Sequence, residues 1–376
     1  MSNNKILQVL TQEEYYSPKN GGAIATWVKE FSSELVEYET TVCAPFSDTP
    51  FKVNNLKQIK TKFAKSISKY SGAKIGHHLK YNTYVILVGL FARRKKYKII
   101  HVHNRPNYIP IIKRLNPNAK VMLHMHNDHV FDANHKQIND LYTYCDKIIS
   151  VSGYIQNGIL KKGADHNLDF KSKCAVLLNG SNPDHFVRTL PAKNNQILFI
   201  GRLDETKGIK QLIEAVLLVK KKISTVKLII AGSAGFGNME DSPFVKSLKE
   251  LTKNDKENFD FLGYVDHDDV PDLFKKVALY CIPSIWNDPC PLSVIEGMAS
   301  GIPMIVGDRG GIPEEVGDAA IKLNCEDVTK LANTIIYALE NDHEMKLLAD
   351  KAHKRFTNNF TWKHVTNNYI KIIDKL

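Results

Sequence analysis

The stretch Pro283–Glu315 reads PSIWNDPCPLSVIEGMASGIPMIVGDRGGIPEE. Just before it, the apolar run ALYCIPS predicts a buried strand ending at Pro283 and Ser284. An irregular loop, Trp286-Asn287-Asp288-Pro289, follows, and a helix is expected to open near Pro291 with Glu296 in its early turns. Ser300-Gly301 closes that helix. Pro303 to Val306 reads as a second short buried strand, leading into a loop that holds Gly310 and Gly311. Strand, loop, helix start, strand, glycine loop is an order in which an α/β sheet holds an anion. Free N–H groups at the helix start face a phosphate, and a carboxylate a turn or two further in accepts hydrogen bonds from ribose hydroxyls.

This stretch resembles the donor-sugar signature of the retaining glycosyltransferases of family four, which have the GT-B fold. The family pattern is roughly P-S-x-x-E-x-x-G-L-x-x-x-E-A-M-A-x-G-x-P-V-I followed by G-G-x-x-E. Pro283, Ser284, Leu292, Glu296, Met298, Ala299, Gly301, Pro303, Gly310, Gly311 and Glu314 match it. Two positions depart: Asp288 stands where the first glutamate is usual, and Pro291 where a glycine is usual. Aspartate keeps the charge on a shorter side chain. Proline offers no N–H but suits a helix start, which leaves the Leu292 and Ser293 amides as the candidate donors.

The chain has 376 residues, more than one hydrophobic core normally organises, so two domains are expected. No apolar run is long enough to span a bilayer and the first residues lack a signal-peptide layout, so the expected location is cytoplasmic, peripheral on the inner face of the membrane if attached at all. The six cysteines are scattered without a C-x-x-C pair and read as reduced, buried small hydrophobes.

The net charge of +11 is unevenly spread. Between Thr49 and Asn127 stand 17 Lys or Arg and no Asp or Glu. Within that span FKVNNLKQIKTKFAKSISKY sets Phe51, Leu56, Ile59, Phe63, Ile67 and Tyr70 at roughly helical spacings among lysines. The pattern suits a helix or loop on an anionic membrane surface. It equally suits a solvated basic face or a groove that attracts an anionic acceptor. Nucleic acid is not expected as a partner, since no stacking platform or recognised binding motif accompanies the charge.

The chain opens on a strand, Lys5 to Thr11, and a turn at Gly21-Gly22 leads into a helix with Ile24, Trp27, Val28, Phe31 and Leu35. The order is Rossmann-like, but the third glycine of a dinucleotide fingerprint is missing. The resemblance implies that the Gly21 and Gly22 amides approach the donor phosphate. KIIHVH and VMLHMH predict two further strands. Alternation puts His124 and His126 on one face of the second, either toward a ligand or satisfied by neighbours. No metal ligand set is expected from His124, His126 and His129, which straddle a strand end. The resemblance places His126 on the family's active-site histidine, beside the donor sugar.

Asn179-Gly180 with Asp184-His185-Phe186 resembles the segment before the family's interdomain linker. A new strand, Gln196 to Ile200, then runs into Gly201-Arg202-Leu203-Asp204-Glu205-Thr206-Lys207-Gly208. A strand-end arginine and a helix-start lysine are able to meet on one diphosphate. The family's G-R-L-x-x-x-K-G segment, which this matches, implies that role. Tyr264 and Val265 fall on the loop that grips the nucleotide base in the family; Tyr264 either stacks there or is a half-buried surface residue. The C-terminal FTWKHVTNNYIKIIDKL is an amphipathic helix.

The resemblance implies an α/β GT-B fold: two Rossmann-like domains with parallel sheets facing across a cleft, residues 1–187 for the acceptor and 196–356 for the nucleotide sugar, with 357–376 a helix returning to the first domain. It implies a retaining enzyme that moves a hexose or N-acetylhexosamine from a nucleotide-diphosphate sugar, UDP-linked by expectation, to a hydroxyl of a growing glycan or glycolipid such as lipopolysaccharide or capsule. His126, Asp288, Arg202 and Lys207 would carry the catalysis. Gly21, Gly22, Tyr264, Val265, Leu292, Ser293 and Glu296, with the same two cations, would bind the donor, without metal or other cofactor. Two other readings stay open: a nucleotide-sugar epimerase on the same fold, and a non-enzymatic basic module for polyanions.

Overall fold

The structure, a computed structural model, describes residues 5–18, 21–53, 55–60, 73–235 and 240–376. It divides into two compact units, Met1–Leu178 with Val365–Leu376, and Asn179–His364. Each unit is built on one parallel sheet.

The first sheet holds β1 (Lys5–Val9), β2 (Glu39–Pro45), β3 (Leu56–Ile59), β4 (Ile99–His103), β5 (Lys120–Met125), β6 (Lys147–Ser150) and β7 (Cys174–Val176), in the order β3-β2-β1-β4-β5-β6-β7. β1 has β2 on one side and β4 on the other, so the winding direction reverses there. Connecting helices include Ala23–Glu34, which buries Trp27, Val28 and Phe31, and the long helix Ala73–Lys95. Tyr369, on the C-terminal helix Trp362–Ile373, meets Phe31 edge-on with centroids 4.9 Å apart and stacks on His101 at 5.3 Å. The final turns are thereby part of this unit's core.

Leu56 to Ile59 correct the helix-or-loop reading of the basic stretch. They pair in parallel with β2, from Val42 opposite Leu56 to Pro45 opposite Ile59. The three-residue spacing of Leu56 and Ile59 suits a helix, but the open edge of β2 offers unpaired backbone groups that the segment satisfies as a strand. Phe63, Ile67 and Tyr70 lie outside the described residues.

The second sheet holds β8 (Gln196–Ile200), β9 (Lys227–Ala231), β10 (Phe259–Gly263), β11 (Leu279–Ile282), β12 (Met304–Gly307) and β13 (Ile321–Leu323), in the order β10-β9-β8-β11-β12-β13. Strands buried on both faces need continuous apolar runs, and KLIIA, LYCI and MIVG supply them. Ile197, Phe199, Ile209, Ile213, Leu228 and Ile230 pack in one core between sheet and helices. Full burial of such side chains contributes roughly 1.5–3 kcal/mol each. The direction of winding reverses between β8 and β11, and the crevice beyond the strand ends at such a point is where open α/β sheets bind ligands. All six cysteines are free and buried. No helix of the described residues is long and apolar enough to cross a membrane.

Candidate functional site

In the second unit three loops meet at the strand ends beside the switch point. Behind β8, the Asp204 carboxylate caps a short 3-10 turn, accepting from the Thr206 amide at 2.9 Å. Gly208 then takes the left-handed conformation, φ 70°, and opens the helix Ile209–Val219. A Cβ at Gly208 would stand 1.9 Å from the Pro283 carbonyl oxygen, so only glycine lets this loop lie against the one behind β11. The Ile285 amide ties the two together by donating to the Thr206 carbonyl at 3.0 Å. Behind β12, Gly310 is also left-handed, φ 62°, and a Cβ there would fall 2.3 Å from the Asp288 carbonyl oxygen. That oxygen accepts from the Gly311 amide at 2.8 Å.

These contacts bring Lys207, Trp286 and Asp288 together. The Lys207 ammonium is ion-paired with Asp288 Oδ2 and lies 5.7 Å from the centre of the Trp286 ring. Asp288 is buried and Lys207 largely so. Arg202, on the same loop as Lys207, pairs instead with Asp204, Nε to Oδ2 at 2.8 Å, and stays half exposed. Each cation is held by a carboxylate of its own surroundings.

The helix Leu292–Ser300 starts after Pro291, with the Leu292 and Ser293 amides in its first turn, and ends at left-handed Gly301, φ 67°. Its Glu296 is buried at 7% exposure, and Oε1 lies 2.8 Å from His267 Nε2. His267 belongs to the short turn after β10, beyond Tyr264 and Val265. Tyr264 is 40% exposed, and burial of the rest of the ring, with Asp266 beside it, raises its hydroxyl pKa. His185 stacks on His267 with centroids 5.2 Å apart. His267 is a residue that sequence reasoning passed over: its tie to Glu296 spans two loops with no fixed spacing.

A second buried carboxyl stands just behind Asp288. Glu315 is wholly buried, accepts a hydrogen bond from Cys290 Sγ at 2.9 Å, and has no partner for its other oxygen among the described residues. Burial holds its pKa well above the usual range, the cysteine's hydrogen bond lowering it only in part. The Cys290 carbonyl accepts from Asn179 Nδ2 at 2.8 Å.

In the first unit the Gly21 and Gly22 amides are already engaged. Gly21 donates to the Ser17 carbonyl at 2.9 Å. Glu14 Oε1 accepts from Gly22 at 2.9 Å and from Ala25 at 3.0 Å, so the chain's own carboxylate sits on this helix start. Burial raises the Glu14 pKa, and those amides pull it back.

Four histidines line one face of β4 and β5, where residue His103 pairs with His124 in register. His101 and His124 stack with planes 3° apart and centroids at 5.2 Å, and His124 and His126 at 4.1 Å. The Trp27 ring meets His124 edge-on at 4.8 Å. Among the described residues His101 and His124 have no hydrogen-bond partner on either ring nitrogen, whereas His103 uses both: Nε2 lies 2.9 Å from Gln8 Oε1 and Nδ1 2.9 Å from His126 Nε2. Burial holds all four neutral, with His101 and His126 lowered to about 3. Ring nitrogens of His101, His103 and His124 lie within 4.8 Å of one another, and the His103 ring is tilted by 32° and 33° to the stacked His101 and His124 rings. Asn104, left-handed at φ 53°, pins the strand ends by donating its amide to the His124 carbonyl at 2.8 Å and accepting the His126 amide on Oδ1 at 2.7 Å.

Residues 181–359 match the family model described as glycosyl transferases group 1. Among curated relatives, "Spore coat protein SA" of Bacillus subtilis is 26% identical over 318 residues, 79% of this chain and 84% of that one. The "Lipopolysaccharide 1,2-N-acetylglucosaminetransferase" of Salmonella typhimurium is 22% identical over 377 residues, 97% of each chain. Among solved structures, Anabaena Alr3699/HepE in complex with UDP superposes with a TM-score of 0.77 at 18% identity, over 99% of this chain and 100% of that one. The fold is thus GT-B, and residues 181–359 are what the chain shares with the group 1 glycosyl transferases.

Proposed function

We propose that this protein transfers a hexose or N-acetylhexosamine from a UDP-sugar to a hydroxyl of a growing cell-surface glycan, with the anomeric configuration retained. The observation that carries this reading is the meeting of the loops behind β8, β11 and β12 at the switch point, with Lys207, Asp288 and the start of the Leu292–Ser300 helix on them. The departing nucleoside diphosphate develops negative charge while the sugar becomes oxocarbenium-like. Lys207 and Arg202 turn from their carboxylates to the diphosphate, and the Leu292 and Ser293 amides add fixed donors, so cations and backbone meet that charge. Glu296 takes the ribose hydroxyls, Tyr264 and Val265 hold the base, and Asp288 and His126 orient the transferred sugar. The acceptor oxygen bonds to the anomeric carbon on the face from which the sugar–phosphate bond breaks, and its proton goes to the leaving phosphate oxygen, so configuration is retained.

UDP and UDP-glucose are bound in the Anabaena Alr3699/HepE structures, and the Salmonella relative is named for lipopolysaccharide; both support the choice of donor and acceptor class. The acceptor side brings in a lipid surface. Around a shallow hollow, Lys57, Lys60 and Arg94 surround Leu87, Leu90 and Phe91. Ile86, Leu87 and Leu90 are exposed, and the helix ends in Arg93, Arg94 and Lys95. Basic side chains around exposed apolar ones fit an anionic bilayer, each adding about 1 kcal/mol.

The test is incubation of the protein with UDP-sugars and a glycolipid acceptor, with the product anomer read by NMR. A product of unchanged anomeric configuration is expected; an inverted anomer contradicts retention, and an epimerised UDP-sugar formed without acceptor makes the protein an epimerase. Sedimentation with anionic vesicles tests the lipid surface, and equal binding by wild type and a Lys57→Glu, Lys60→Glu, Arg94→Glu variant rejects it.

A further inference from the structure

We propose that Gln8 and His103 hold His126 in a single ring tautomer, proton on Nε2 and lone pair on Nδ1, so that a hydroxyl of the transferred sugar donates to Nδ1. The inference rests on the transferase reading for the sugar but not for the tautomer. The chain of contacts runs from β1 through β4 to the end of β5. Gln8 is fully buried on β1, and its Oε1 faces His103 Nε2 at 2.9 Å. A carboxamide oxygen only accepts, so His103 carries its proton on Nε2. A buried, neutral imidazole has one proton, which leaves His103 Nδ1 as an acceptor. His126 Nε2, 2.9 Å from that Nδ1, therefore has to be the N–H that donates. By the same rule His126 Nδ1 keeps its lone pair.

Backbone contacts fix where that lone pair sits. His126 is partly exposed while His101, His103 and His124 are fully buried, so it is the member of the row that solvent or substrate reaches. Asn104 clamps its amide, and the Trp27 ring lies across it with centroids 5.5 Å apart. The Gln8 Nε2 group has no partner among the described residues, so the His103 bond is what the Gln8 side chain makes. Turning the amide round would present N–H to His103 and invert the tautomers of His103 and His126. The ring nitrogens therefore report on Gln8 directly. An enzyme that meets a hydroxyl with the wrong tautomer loses that hydrogen bond without losing its fold. Gln8 and His103 are accordingly positioning residues, and His126 is the group that touches the sugar.

The experiment is long-range proton–nitrogen NMR on the uniformly labelled full chain, with His103 and His126 assigned by substitution. Both rings are expected to show a pyrrole-type Nε2 and a pyridine-type Nδ1. Gln8→Glu, whose carboxylate also only accepts, keeps that pattern; Gln8→Met, which cannot accept, mixes or inverts it in His126 while the other resonances stay dispersed. In transfer assays Gln8→Met lowers kcat by about ten-fold with little change in KM, and Gln8→Glu restores most of the rate. A pyrrole-type Nδ1 on wild-type His126, or the wild-type pattern surviving in Gln8→Met, overturns the proposal. Failure to bind UDP would instead strike the transferase reading, since the UDP groups named above lie in the second unit and the tautomers are read without ligand.

Discussion

The ammonium of Lys207 is ion-paired with the carboxylate of Asp288, two side chains delivered by the loops behind β8 and β11 and locked together by the left-handed turns at Gly208 and Gly310. The pair keeps a buried aspartate compensated while the site is empty, since a lone buried charge is costly. It also stores the cation that the proposed chemistry needs. On the proposed reading a diphosphate, which carries more charge than one carboxylate, would displace Asp288 and free it to meet a sugar hydroxyl.

Lys207→Ala is therefore expected to lower transfer at least about 100-fold, the scale of losing one group that stabilises developing charge, while the fold persists. Asp288→Asn separates the two roles: UDP binds at least as tightly, because its competitor is gone, whereas transfer falls. Steady-state kinetics beside a thermal melt checks both. A wild-type rate in Lys207→Ala, or weaker UDP binding in Asp288→Asn, contradicts the assignment.

What the sequence made legible follows from where the backbone leaves no choice. Gly208 and Gly310 each stand at a positive φ with the carbonyl of a neighbouring loop in contact range, so the glycines had to appear at those spacings. The parallel strands read as apolar runs for the same reason, being buried on both faces. β3 was not legible, because its apolar residues follow a helical interval and its partner edge is set by the fold. The histidines of KIIHVH and VMLHMH alternate visibly, but nothing in the one-dimensional pattern says that β4 and β5 are neighbours or that Gln8 lies beside them. Glu14 on the Gly22 amide and His267 on Glu296 are contacts between loops of arbitrary length, which no periodicity announces.

Glu315 carries a pH dependence of its own. Its folded pKa lies well above the unfolded value of about 4.3, so burial of the neutral acid costs nothing extra below that value. Stability is lost as pH rises from there, since the unfolded chain releases a proton that the folded one retains. Glu315→Gln keeps an acceptor for Cys290 and removes the titration. It should raise Tm at pH 8 by roughly 2–4 °C, about 1 kcal/mol, and change it little at pH 5. Calorimetric melts at the two pH values check this; an equal shift at both would mean that the carboxyl does not titrate as described.

The histidine row works in the opposite direction. His101 and His126 are lowered to about 3 against an unfolded value of about 6.5, so below pH 6.5 the unfolded chain binds protons that the folded one refuses. Stability is complete above 6.5 and falls with acid, by up to about 1.4 kcal/mol per pH unit for each such ring. Hydrogen-exchange protection of the β4 and β5 peptides, corrected for intrinsic rate, should therefore collapse between pH 6.5 and 5. His101→Gln should flatten the fall. Protection that is level across that range contradicts the neutral, buried row.

The most direct measurement is calorimetric titration of UDP, without sugar or acceptor, into the wild-type protein and into Lys207→Ala and Glu296→Ala. Binding at the second unit's switch point predicts one site per chain, weakened about ten-fold or more by either substitution, through lost charge in one and lost ribose hydrogen bonds in the other. UDP bound with unchanged affinity by both variants, or not bound by the wild type, would contradict it.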